Sequence, residues 1–238
     1  SIYTAENTEK LTGLPDDVLT RAAESFARDA DRFVLVGNDI LDTGEGEKIL
    51  NVLLNLCTLV NFGSTGSVSI YPPREHCNSQ GVNDMGLTPE FLPGYQPGKE
   101  SLDFFETCKD GTIKFLYIAG EDPVQSFYKP QQVKDALKSV PFLIVTDVFM
   151  TETARMADLI LPSSTYAEKD GTYTNMSRHI QAVATAVLPQ GTSKPDFDIL
   201  IELAETFGKP FTSSSITEVQ QEIEQAAPIY KGAFPGKE

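Results

Sequence analysis

Positive charge is scarce in this 238-residue chain, where 19 Lys and Arg stand against 34 Asp and Glu for a formal net charge of -15. Nucleic-acid surfaces need clustered cations to neutralise phosphates, so that class of partner is excluded. A small anionic ligand is not, because backbone N–H groups and one or two arginines can hold it. Cysteine and histidine are few, three and two. Cys57, Cys77 and Cys108 are widely spaced and odd in number, so neither a disulfide framework nor a CxxC metal pair is written in them. Reduced thiols and a cytoplasmic setting are the expectation. His76 and Cys77 are adjacent, and successive residues of an extended segment point to opposite sides, so they predict no shared metal. The sequence has no long uncharged apolar run and no basic-then-apolar start, which predicts neither a membrane span nor a leader. Gly37, Gly44 and Gly46 follow an apolar run without spelling G-x-G-x-x-G, which counts against a free-standing dinucleotide-binding enzyme.

What is present is a globular composition, 40% hydrophobic and 22% charged, long enough for one or two domains. The pattern alternates strand and helix, so the fold class predicted is α/β with a mostly parallel sheet and helices on both faces. Strands at Val34, Phe115, Ile144 and Ile160 are expected in one sheet. Two helices are expected between Thr4 and Arg28, broken at Gly13 and Pro15, the second lying against a sheet. Residues 1–212 form the expected α/β domain and 213–238 a helix and tail. The organising stretch is Phe142 to Gln181, with strands Phe142–Val145 and Leu159–Leu161 that end in small polar residues. Ligands of α/β proteins gather where parallel strands end, so the ends Thr146-Asp147 and Pro162-Ser163-Ser164 are the first places to look, with Thr146, Asp147 and Ser163 the candidates. Gly120 and Asp122 end the preceding strand. A carboxylate there can accept two hydrogen bonds from a guanine edge, or it can cap the turn before Pro123. Glu168 to Asn175 reads as an exposed polar loop turning on a positive-φ Gly171, and Ala182 to Leu188 as a strand.

Several blocks in fixed order carry a resemblance: T-E-T-A-x-x-A-D-x-I-L-P from Thr151, E-x-D-G-T-x-T-N from Glu168, R-x-I-Q from Arg178, and N-x-Q-G-x-x-D-M-G-x-x-P from Asn78, continued by Pro93-Gly94-Tyr95. The chain resembles the molybdopterin-dependent oxidoreductases, formate dehydrogenase catalytic subunits and the large iron-sulfur subunit of bacterial NADH-quinone oxidoreductase above all. The resemblance implies an interior fragment of an electron-transferring subunit that contributes part of a molybdopterin guanine dinucleotide site. Iron-sulfur clusters would lie in parent regions outside this chain, since no four-cysteine set occurs in it. It implies Arg74 near the metal and substrate, a role suited to a planar, permanently charged guanidinium. The pair Glu75-His76 stands where formate dehydrogenases carry Gly-Gln, a departure that counts against formate turnover. Cofactor contacts are expected from Gly37, Arg74, His76, Gly120, Asp122, Ser126, Thr146, Asp147, Ser163 and Asp196. The partners implied are other subunits of a multi-subunit oxidoreductase, which would hold the chain at the inner membrane only through the complex. The alternative is a non-catalytic scaffold that keeps the fold, braces cluster-bearing regions and packs against other subunits.

Overall fold

The structure, a computed structural model, describes residues 4–28, 31–41, 43–62, 66–71, 73, 76–88, 91–98 and 103–235. The chain divides into two units, residues 1–76 and 77–238. In the first, helices α1 (Ala5–Thr12) and α2 (Asp16–Ala27) break at Gly13, whose φ of 72° glycine adopts without steric cost. Asp16 and Asp17 sit in the first turn of α2, at the positive end of its dipole. No residue of α2 is buried, which corrects the expectation that it lies against a sheet. The sheet of this unit is too small to cover it. Among the described residues it has only β1 (Arg32–Leu35) and β2 (Val68–Tyr71), paired in parallel and connected through α3 (Asn38–Leu41) and α4 (Gly46–Asn61).

The second unit begins with α5 (Ser79–Asp84), the short antiparallel pair β3 (Phe91–Leu92) and β4 (Gln96–Pro97), and α6 (Phe104–Lys109). Its sheet is parallel: β5 (Leu116–Ala119), β6 (Leu143–Asp147) and β7 (Leu159–Pro162), with β6 in the middle. Leu143, Ile144, Val145 and Thr146 are all buried, as a central parallel strand covered on both faces requires. Between β5 and β6 run α7 (Pro123–Ser126) and α8 (Pro130–Ser139). Val133 and Leu137 of α8 join Val124, Leu143, Val145 and Ala154 in one apolar cluster. The expected single sheet is therefore two, because β1 pairs with β2 and the strands near Phe115, Ile144 and Ile160 pair among themselves. Each crossover joins strands close in sequence, and the intervening segment from Cys77 forms structure of its own.

Two further expectations are corrected. Gly171 begins a strand rather than a turn and does not have a positive φ: β8 (Gly171–Thr174) pairs antiparallel with β9 (Ile180–Val183). The period-two run Gly171–Thr174 has its partner beyond Arg178, so the hairpin turn falls there, with Arg178 at φ 63°. Strand β9 accordingly ends at Val183, not Leu188. The chain then continues through α9 (Asp196–Thr206) and α10 (Ile216–Ala226). Ser215 and Glu218 cap the N-terminus of α10 with a reciprocal capping box.

The block from Asn78 to Tyr95 folds around a buried carboxylate. Gln80 donates from Nε2 to Asp84 Oδ1 (2.6 Å) and to the Tyr95 hydroxyl (2.9 Å), and Tyr95 donates its own hydroxyl to Asp84. The Arg178 guanidinium lies 5.8 Å from the Tyr95 ring centroid, within cation–π range. Burial, then the bond to Asp84, raises the Tyr230 hydroxyl well above the usual tyrosine range, and the same two causes raise Tyr95.

Candidate functional site

The C-terminal ends of β5, β6 and β7 meet in register. The Gly120 N–H donates to the Thr146 carbonyl (2.8 Å) and the Ser163 N–H to the Asp147 carbonyl (3.0 Å). Lys194 extends this edge, donating its N–H to the Pro162 carbonyl (3.1 Å) and accepting from the Ser164 N–H (2.9 Å). These three strand-end amides already have acceptors. A ligand at this edge would therefore meet side-chain hydroxyls and carboxylates more than the amides of Gly120, Ser163 and Ser164.

Hydroxyls are what the edge offers. A cavity of about 440 Å3 opens at the ends of β6 and β7, its polar wall made by Ser163, Thr165, Gln190, Thr192 and Ser193. Glu168 also lines it, but its Oε2 accepts the Thr165 N–H (2.8 Å) in a capping box. Between Ser163 and Thr165, Ser164 is fully buried, and its hydroxyl has no hydrogen-bond partner among the described residues. Buried polar groups are nearly always paired, but this hydroxyl is not among the groups that line the cavity.

The expected site residues divide clearly. Gly120, Asp122, Asp147 and Ser163 come to this one edge. Asp122 is held by its own fold: Oδ1 accepts the Thr153 N–H (3.1 Å) and hydroxyl (2.5 Å), and Oδ2 accepts the Glu152 N–H (3.3 Å). Thr153, fully buried, also accepts the Val124 N–H (3.3 Å). Asp122 thus latches the loop after β5 to the loop after β6. Asp147 accepts the Phe149 N–H (2.8 Å) through Oδ1, in a turn closing β6. A carboxylate has about four lone-pair sites, so acceptor capacity remains there. Thr146 is fully buried with its hydroxyl donated to Tyr117 (2.9 Å), Ser126 donates to Glu121 (2.7 Å), and Asp196 pairs with Lys169. Gly37 follows β1 in the first unit, where its carbonyl accepts the Ile40 N–H (3.1 Å), and His76 is exposed at that unit's end. Arg74 and Glu75 lie outside the described residues. Sequence reasoning pointed to Ser164 with Ser163 and missed Thr153, Thr165, Gln190, Thr192 and Ser193. The signal available was the run of polar residues flanking the Gly191 turn.

The model of the molybdopterin oxidoreductase family matches residues 18–206, more than half of the chain. This chain belongs to the molybdopterin oxidoreductase family. Within the family it is similar to the F420-dependent formate dehydrogenase subunit alpha of Methanocaldococcus jannaschii, 32% identical over 252 residues, covering 97% of this chain and 37% of that one. It is likewise similar to the F420-dependent formate dehydrogenase 2 subunit alpha of Methanococcus maripaludis, 33% identical over 255 residues, covering 98% and 38%. The chain thus spans less than two-fifths of these family members. Acetylene hydratase from Pelobacter acetylenicus is a solved structure with a TM-score of 0.47 and 17% identity, covering 61% of this chain and 21% of its own. Family membership implies a molybdopterin cofactor. Among the described residues no helix is long and apolar enough to cross a membrane.

Proposed function

We propose that this chain is part of the alpha-type subunit of an electron-transferring molybdopterin oxidoreductase, and that the β6–β7 cavity holds a portion of the cofactor. The observation that carries the reading is the hydroxyl-lined cavity at two parallel strand ends. The residues fit a neutral, hydrogen-bonding portion of the group. Ser163, Thr165, Thr192 and Ser193 offer donors and acceptors to a ribose or a guanine edge, and Asp147, at the end of β6 but outside the cavity's lining, keeps free carboxylate lone pairs. Among the described residues no Lys or Arg lines the cavity, so the pyrophosphate of a guanine dinucleotide form would be neutralised elsewhere. The bound group supplies the redox chemistry, at a molybdenum centre, and the chain supplies binding and orientation. Asp122 positions this edge through Thr153 and Glu152 rather than touching the base. Gly37 and His76 of the first unit stay candidates on the sequence argument, as does Arg74 for the substrate end. The tyrosine and apolar side chains just beyond the edge, Tyr128, Phe149 and Met150, are exposed. They suit burial against the rest of a longer subunit that carries iron-sulfur clusters and docks with other subunits.

A second reading is a scaffold of the NADH-quinone oxidoreductase kind, which keeps the fold without molybdenum. One observation favours it: all three bonds made by the Asp122 carboxylate are internal. Molybdenum and pterin analysis of the natural subunit separates the two. Stoichiometric pterin with molybdenum is expected, and in that subunit Arg74→Ala lowers dye-linked turnover while leaving pterin content intact. A metal-free, pterin-free subunit that still assembles with its partners favours the scaffold.

A further inference from the structure

Helix α4 carries more apolar surface than its own unit covers. Leu50, Leu53, Cys57 and Val60 recur at helical spacing and face inward, Cys57 buried and the others half-buried. One position back, Ile49, Val52, Leu56 and Leu59 repeat the same spacing and are all exposed, Val52 at 68% and Leu59 at 74%. Lys48, Asn51, Asn55 and Thr58 form the polar side. A surface helix needs one apolar stripe for its core, and a second with coiled-coil spacing is a seam for another helix.

Strand β1 shows the same excess. Its residues alternate between faces: Arg32 is buried and Val34 half-buried, whereas Phe33 and Leu35 are exposed at 72% and 70%. Parallel sheets occur with both faces covered, and two strands alone fall short of independent stability. The buried Arg32 guanidinium adds an independent mark. Its Nε donates to the Phe26 carbonyl, but neither terminal nitrogen has a partner among the described residues.

We propose that the outer stripe of α4 and the bare face of β1 are covered by a further part of the same polypeptide, including a helix seated on Ile49, Val52, Leu56 and Leu59. This rests on reading the chain as part of a longer subunit. The relatives have the residues to supply such a layer, since the chain spans 37% and 38% of their lengths.

The test is the double variant Val52→Lys, Leu59→Lys, with Asn55→Lys on the polar side as control, each made in the 238-residue chain and in the longer natural polypeptide. Thermal unfolding and sedimentation are read in both. In the 238-residue chain the double variant should leave Tm and mass unchanged. In the longer polypeptide it should lower Tm by about 5 °C or more, because two ammonium groups would enter a covered interface. Asn55→Lys should be neutral in both. Tolerance of the lysines in the longer polypeptide overturns the proposal and leaves the functional reading standing. Destabilisation already in the 238-residue chain also overturns it, because the cover is then the chain's own second unit or, where the mass changes, a second copy. The intact mass of the natural polypeptide tests the underlying reading separately, and a value of 26.1 kDa would remove both.

Discussion

Asp122 receives three hydrogen bonds from residues thirty positions further along, so its first duty is to join two strand-end loops. Bonds to a charged acceptor contribute about 1.5–3 kcal/mol each in net terms. Asp122→Ala and Thr153→Val should each destabilise the 238-residue chain by about 1–3 kcal/mol. The double variant should cost less than their sum, because they share one bond network. Urea unfolding of the four proteins measures this, and strict additivity would show that the latch contributes nothing. Ser164→Ala is expected to behave oppositely. Its buried hydroxyl has no partner to lose, so the chain without cofactor should keep or gain stability. A strand-end acid at Asp122 was legible in the sequence. Its partners were not, since no local pattern links residue 122 to Thr153, and Ser163 and Ser164 look alike until burial tells them apart.

Among the elements, the block from Asn78 to Tyr95 shows how a recognisable motif can serve the fold. A Cβ at Gly86 would come within 2.5 Å of the Leu92 and Pro93 backbone, and Gly86 has φ 70°. Gly120 has a similar φ of 65°, yet open space surrounds it. Gly120→Ala should therefore cost about 1–2 kcal/mol of left-handed strain. Gly86→Ala should cost distinctly more, because the clash falls on backbone that cannot rotate aside. Equal losses in thermal unfolding would remove that argument.

The tyrosines of this block add a pH dependence. Tyr95 and Tyr230 are held protonated in the fold, while an unfolded tyrosine titrates near pH ~10. Their contribution is fully present below that pH and is lost as pH rises through the folded-state values. Stability should fall above about pH 10, and Tyr230→Phe should make the fall shallower. An unchanged slope would contradict it. Helices α6, α8, α9 and α10 and the parallel strands β5, β6 and β7 were legible from period and caps, whereas α5, α7, β3 and β4 were not. The hairpin β8–β9 was not, because a glycine opening a strand and one closing a turn look the same without the partner strand.

For the whole molecule, the α/β class and the family could be read from alternation and from ordered motif blocks. The division into two sheets could not, because strand partnership depends on which crossover closes first and not on the strands' own composition. The sequence also left open which residues of the candidate edge face a cavity. Gln190, Thr192 and Ser193 reach it from a turn after β9, brought there by the pairing of Lys194 with Pro162 and Ser164.

The central claim is that this cavity holds part of the molybdopterin, and it can be tested by filling it. Thr192 is exposed on the cavity rim, so Thr192→Trp should occupy the space without disturbing the core, while Gln131→Trp on the exposed side of α8 serves as a matched control. Pterin released from each purified full-length subunit is measured after both variants are shown to keep the wild-type Tm. The account predicts a loss of at least about tenfold in the retained pterin of Thr192→Trp, equivalent to ~1.4 kcal/mol of binding, and wild-type content in Gln131→Trp. Wild-type pterin content in a stably folded Thr192→Trp subunit would contradict it.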